Sequence, residues 1–143
     1  MDKIKKLASK HAQKLRFGVV GAANTVLDFA LLFLFVSFGF NSVVANYFST
    51  GIAFIVSFFV NKSYTFKSKG GNVKKQFTLF ILVTMVGLWI IQPILIYIVT
   101  NLLTGVSLSD NVILFIAKLI ATVGSLVWNY TFYSRLVFKT KEK

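Results

Sequence analysis

Residues 110–133 read DNVILFIAKLIATVGSLVWNYTFY: one lysine, one leading aspartate, and otherwise apolar, small or aromatic residues with a few hydroxyls and amides. At ~1.5 Å per residue such a run crosses the ~30 Å of a bilayer's hydrocarbon as a single helix. Three more runs have that length and character, at about 17–38, 43–64 and 77–100. The expected fold is therefore an all-α integral membrane protein with four transmembrane helices in one domain covering residues 1–143. Composition agrees. Of 143 residues 56% are hydrophobic, 16 are Phe and only 14% are charged. A soluble core of this size does not absorb so much apolar surface. The first run is too long for the core of a signal peptide and no small-x-small cleavage site follows it, so it reads as a retained span.

The net charge of +12 points at first to nucleic acid, but its placement points to a membrane and to no nucleic-acid partner. Six basic residues precede the first span (Lys3, Lys5, Lys6, Lys10, Lys14, Arg16). Five lie between spans two and three (Lys62, Lys67, Lys69, Lys74, Lys75) and four in the tail (Arg135, Lys139, Lys141, Lys143). The other two connections, GFNS (39–42) and NLLTGVSLS (101–109), carry none. This bias places both termini and the central loop in the cytoplasm. In the leader, Ile4, Leu7 and Leu15 alternate with lysines, the pattern of a short amphipathic helix lying on anionic lipid.

The chain divides into two similar halves. KSKGGNVKK (67–75) is its natural midpoint, and sliding the sequence by 72 sets 46–67 against 118–139 without a gap. Thr50 then meets Thr122, Phe66 meets Phe138 and Lys67 meets Lys139. Since both halves start inside, the expected arrangement is a parallel 2+2 repeat of helical hairpins.

Polar residues form stripes. Lys118, Thr122, Ser125 and Asn129 are spaced i, i+4, i+7 and i+11, one face of a helix. Asn46, Thr50, Ala53, Ser57 and Asn61 repeat much of that pattern in span two, and Gly21, Asn24, Thr25 and Asp28 make a third stripe in span one. Polar faces avoid lipid, so these are expected to turn toward a shared interior. Asp28 is the one acid inside a span, about ten residues below its outer end, and Lys118 lies about eight residues deep in its own. A direct Asp28–Lys118 pair is allowed by depth. Such a pair either fixes helix register or holds the lysine until an anionic substrate competes for it. Pro93, after Gln92, should kink span three and free a carbonyl. Trp89, in mid-span, reads as core filler or a groove wall, while Trp128, Tyr130 and Tyr133 fit an interfacial aromatic belt.

With no Cys and one His, at position 11, the chain has no disulfide, thiolate or His-based metal site. No catalytic carboxylate pair, nucleophile–base arrangement or phosphate-cradling Gly loop is present, and neither an enzyme nor a bound cofactor is expected.

Four features together resemble the GtrA-like family of small bacterial membrane proteins: the four-span topology, GAANTVLD (21–28), VNKSYTFKS (60–68) and WNYTFYSRLVFK (128–139). The resemblance runs from about Leu15 to Lys139. It implies translocation of a polyprenyl-phosphate-linked sugar, such as undecaprenyl-phosphate-glucose, across the cytoplasmic membrane. Glycosyltransferases would supply it at the inner face and use it at the outer face for envelope polysaccharide or teichoic acid. Residues matching the family pattern are Asn24, Asp28, Asn61, Lys62, Thr65, Phe66, Lys118, Asn129, Arg135, Val137 and Phe138; Ser57 departs from it, standing where Asn before an aromatic is common. In this reading Lys118 is the phosphate counter-ion at depth, and Lys62 and Arg135 collect phosphate at the cytoplasmic edge. Asn24, Asn61 and Asn129 offer amides to sugar hydroxyls, with Thr65, Phe66, Thr122 and Ser125 completing the candidate substrate-binding set. Bland readings stand beside these: Lys62 and Arg135 set topology, while Asn61 and Asn129 bond between helices or cap them. A homodimer is one way for so narrow a bundle to enclose a sugar. Two rivals remain open, a non-transporting assembly or anchoring subunit of a membrane glycosyltransferase, and a small multidrug-resistance-type exporter.

Overall fold

The computed structural model describes residues 2–139, without the side chains of residues 2–8, 10, 42 and 43. It is all helical and consists of two compact units, Met1–Lys69 and Gly70–Lys143, whose boundary falls inside the basic, Gly-containing midpoint. Four helices are long and apolar enough to cross a membrane: His11–Ser37, Val44–Thr65, Val73–Leu102 and Asp110–Val137.

In the first unit, α1 (Asp2–Ser37) pairs with α2 (Ser42–Val60). The leader is helical but is not a separate short helix. Residues 2–17 contain neither Gly nor Pro, so the helix propagates unbroken into the first span. The side chains of Ile4 and Leu7, which suggested an amphipathic face, lie outside the described ones. α1 stops in a Schellman motif. Gly39 takes φ 88°, its N–H bonds to the Val36 carbonyl at 2.9 Å, and the Phe40 N–H bonds to that of Phe35 at 3.1 Å. The accompanying apolar contact is aromatic: Phe35 and Phe40 have ring centroids 5.7 Å apart, and Phe48 of α2 touches both.

In the second unit, α3 (Val73–Val86) begins at Asn72, whose side chain accepts the Lys75 N–H at 3.1 Å. A π-helical turn, Gly87–Ile91, joins it to α4 (Gln92–Leu102), and α5 (Asp110–Phe132) returns against α4. The wide turn sits where the proline demanded relief. Pro93 has no N–H, and its ring would strike the carbonyl four residues back. A single wide turn before it accommodates both.

Each unit also closes on a π-helical turn, Asn61–Thr65 in the first and Tyr133–Val137 in the second, 72 positions apart. In each the next residue, Phe66 or Phe138, donates its N–H five residues back, at 2.8 Å. One extra residue in a turn advances the side chains beyond it by roughly 100°. Both phenylalanines are thereby brought into their own unit and buried. Phe66 lies 6.2 Å from Phe17, and Phe138 6.2 Å from Phe80.

The seam between the paired helices is made of small residues. Ala45, Ser49 and Ala53 of α2 are buried, and so are Ala117, Ala121 and Ser125 of α5, again 72 positions on. Small side chains at i, i+4 and i+8 let two helix backbones approach closely, the usual basis of packing in lipid. Large apolar side chains point the other way: Phe33, Phe115 and Val123 are more than half exposed. Trp89 is 72% exposed, so it is not core filler.

Candidate functional site

In the first unit, Asp28 faces α2 from the second half of α1, half-buried. Its Oδ1 accepts hydrogen bonds from the Ser49 hydroxyl at 2.7 Å and the Thr50 hydroxyl at 3.2 Å. Ser49 can reach the carboxylate because it stands on the seam, between Ala45 and Ala53, where the backbones are closest. An anion in hydrocarbon needs donors of this kind, and charge-assisted bonds are the stronger class.

Toward the closing π-turn of the same unit, α1 and α2 part around a groove of about 350 Å³. Valines and a leucine of both helices line it, with Asn24, Ser57 and Tyr64 as its polar residues. Arg16 stacks over the Tyr64 ring, 5.8 Å from its centroid. Several polar atoms here are buried with no hydrogen-bond partner among the described residues: Arg16 Nε, Asn24 Oδ1, Asn61 Oδ1 and Thr65 Oγ1. The Asn61 amide nitrogen is engaged, donating to the Ser57 carbonyl at 2.9 Å and hydroxyl at 3.2 Å. Thr65 and Phe66 are buried packing residues, while Lys62 is half-buried on the π-turn.

In the second unit the central polar residue is Gln92, buried where α4 begins. Its amide nitrogen donates to the Ser125 hydroxyl at 3.0 Å, and its oxygen accepts from the Lys118 ammonium at 2.7 Å. Lys118 is itself exposed on the outside of the unit. Thr122 and Ser125 also satisfy their hydroxyls within α5, bonding to the Lys118 and Thr122 carbonyls at 2.8 and 3.0 Å. Asn129 is half-buried and its Oδ1 has no partner; a methyl group on Gly87 would lie 2.9 Å from that oxygen. Arg135 is exposed on the closing π-turn.

Two of the three aromatic residues read as interfacial belt are tied inward instead. The Trp128 indole donates to the Val83 carbonyl at 3.1 Å. Tyr133 is buried, hydrogen-bonded to Thr84 through its phenol and stacked on Phe80 at 4.5 Å. A buried phenol takes a partner from the packed protein because hydrocarbon offers none.

Of the candidate residues, the structure groups Lys118 with Ser125 through Gln92, and Asn24 with Ser57 around the groove, beside which Asn61 bonds to Ser57. Asp28 is held by hydroxyls of its own unit. Two residues that matter were not read from the sequence, Gln92 and Ser49. Gln92 carried a signal: it is the one amide in the run 77–100. Ser49 carried none.

A family profile described as GtrA/DPMS, transmembrane domain, matches residues 16–142. Comparison with curated protein sequences gives no match.

Proposed function

The chain belongs to the GtrA/DPMS transmembrane-domain family, and on that premise we propose that it flips a polyprenyl-phosphate-linked sugar, such as undecaprenyl-phosphate-glucose, across the bacterial cytoplasmic membrane. The termini and central loop are cytoplasmic, and the two hairpins act as a parallel repeat. An inner-face glycosyltransferase loads the lipid and an outer-face one consumes it for envelope polysaccharide or teichoic acid.

One observation carries this reading. Lys118 is a cation in the interior of an apolar helix, exposed on its unit, whose one hydrogen bond among the described residues goes to a neutral amide. An ammonium has three donors. Two remain, and no carboxylate among the described residues of its own unit pairs with the charge. A lipid phosphate passing that depth meets a cation whose charge is uncompensated within its unit and whose position Gln92 fixes. Thr122 and Asn129, farther along the same helix, offer hydroxyl and amide groups to a sugar. Lys62 and Arg135, each on the π-turn that ends its unit, place positive charge where an anionic head enters. Asp28 is already solvated by Ser49 and Thr50, which suits a positioning role better than proton-coupled export of cations.

The test is reconstitution of the purified protein in liposomes holding a labelled short-chain polyprenyl-phosphate-hexose. Transport is scored as the fraction reached by a membrane-impermeant reagent. The expected result is access to both leaflets with protein and to one without it. Correctly inserted protein that leaves the inner lipid protected overturns transport and favours the assembly-subunit reading.

A further inference from the structure

The groove of the first unit has polar atoms that no described residue of that unit satisfies. We propose that it is the loading site for the lipid head, with Arg16 and Tyr64 holding the phosphate at its mouth and Asn24 reading the first sugar. This rests on the transport reading and adds to it a place, an order of entry and two residues, Arg16 and Tyr64.

The hydrogen-bond chemistry selects the occupant. Arg16 Nε is a buried donor without an acceptor, and Asn24 Oδ1 is a buried acceptor without a donor. Leaving such groups unmatched costs stability, so a ligand that brings the complementary atom is favoured. A phosphate diester offers only acceptors and a negative charge, which fits a guanidinium placed over an aromatic ring. A sugar hydroxyl offers the donor that Asn24 lacks. Between them the wall is Val, Ala and Leu, a surface for the C–H faces of a pyranose. The groove's volume of about 350 Å³ falls in the range of pockets that enclose small ligands, about 300–1,000 Å³. Eight residues, about 12 Å of helix rise, separate Arg16 from Asn24. That length accommodates a phosphate and one hexose, while the polyprenyl tail stays in lipid. A bulk phospholipid would satisfy Arg16 equally well, and its headgroup also carries a donor for Asn24, but that small polar headgroup has no pyranose face to cover the apolar wall. The occupant is therefore a phosphate-linked glycolipid.

The experiment measures binding and transport on the same purified proteins. Native mass spectrometry in detergent titrates three lipids: short-chain polyprenyl-phosphate-hexose, the polyprenyl phosphate without sugar, and phosphatidylglycerol. Wild type should prefer the hexose-bearing lipid over both others. Arg16→Gln should weaken both polyprenyl lipids by roughly tenfold, and Arg16→Lys, which keeps the charge but loses Nε, by less. Asn24→Leu, close in size, should erase the preference for the sugar and leave bare polyprenyl phosphate bound as before. Tyr64→Ala should reproduce Arg16→Gln in part. Melting of each variant identifies any that fails to fold, and Arg16→Lys and Asn24→Asp then replace it. The proposal is overturned if phosphatidylglycerol binds as tightly as the glycolipid, or if Asn24→Leu keeps the sugar preference. Wild type that binds selectively but flips nothing would uphold the site and sink transport. Transport unchanged in all the variants would uphold transport and sink the site.

Discussion

The two units place a polar residue of their outgoing helix against the middle of the returning one, but with different charge. In the first it is Asp28, an anion bonded to two neutral hydroxyls, Ser49 and Thr50. In the second it is Gln92, a neutral amide that bonds a cation, Lys118, and a hydroxyl, Ser125. Around them the scaffold matches at an offset of 72. The seam residues Ala45, Ser49 and Ala53 correspond to Ala117, Ala121 and Ser125, and the closing π-turns precede Phe66 and Phe138. Packing has stayed similar while the ion has changed sign and moved from the outgoing helix to the returning one. Seam and π-turn are thus separable from the charge they carry.

The largest expected effect tests that separation. Lys118→Ala should bring lipid transport in liposomes down to the protein-free background while membrane insertion stays as in wild type and stability falls by no more than about 1–2 kcal/mol, from the Gln92 oxygen left without its donor. Asn46→Ala, at the position 72 residues earlier, should transport as wild type. Normal transport by well-folded Lys118→Ala would end the counter-ion mechanism.

Packing gives the next contrast. A methyl on Gly124 would clash with the end of the Leu95 side chain, which would have to move, whereas its counterpart, Ile52, is exposed. Gly124→Leu should destabilise the protein by about 1–3 kcal/mol through overpacking, and Leu95→Ala in the same chain should restore part of that. Ile52→Leu should be neutral. Unfolding in mixed micelles measures all three.

Gln92→Leu strips the buried partners of Lys118 and Ser125 together and should cost about 1–2 kcal/mol. Asp28→Asn keeps an oxygen for Ser49 and should cost less than about 0.5 kcal/mol. Equal losses would mean that the two polar centres are not different in kind.

The last contrast concerns the closing turns. Tyr133→Phe removes the bond to Thr84 and should cost about 0.6 kcal/mol, a typical value for a side-chain bond between helices in lipid. Asn61, its counterpart, donates within its own helix, so Asn61→Leu should change stability by no more than a few tenths of a kcal/mol.

Asp28 and Lys118 were legible in the sequence for a simple reason. A charge in an otherwise apolar span stands out whatever it touches. The stripes were less so. Asn46, Thr50, Lys118, Thr122 and Asn129 do share helix faces, but the rows buried between paired helices are the adjacent ones, 45–49–53 and 117–121–125. Successive residues are separated by only about 100° around a helix. The polar row therefore sits at the edge of the seam rather than in it, and Ser125 alone of its stripe in α5 is buried. Tyr133 was misread because tyrosines near a span's end commonly lie at the interface, whereas this one packs against α3, stacked on Phe80 and bonded to Thr84.

Length, hydropathy and the placement of basic residues were enough to establish four membrane-crossing helices, the midpoint and the 72-residue correspondence, and the quoted motifs pointed to the family. These are properties of each segment against its solvent, and a chain carries them whether or not it has folded. Tertiary structure decided which face of each helix is covered, that Gln92 of its own unit bonds Lys118, and that a groove at the Arg16 end of the first unit is left with polar atoms unmatched among the described residues. The physical reason is that lipid is as apolar as the side chains facing it. The hydrophobic pattern that marks the inner face of a soluble helix is therefore lost in a membrane. Only close packing of small residues, the π-turns and individual hydrogen bonds determine what lies inside.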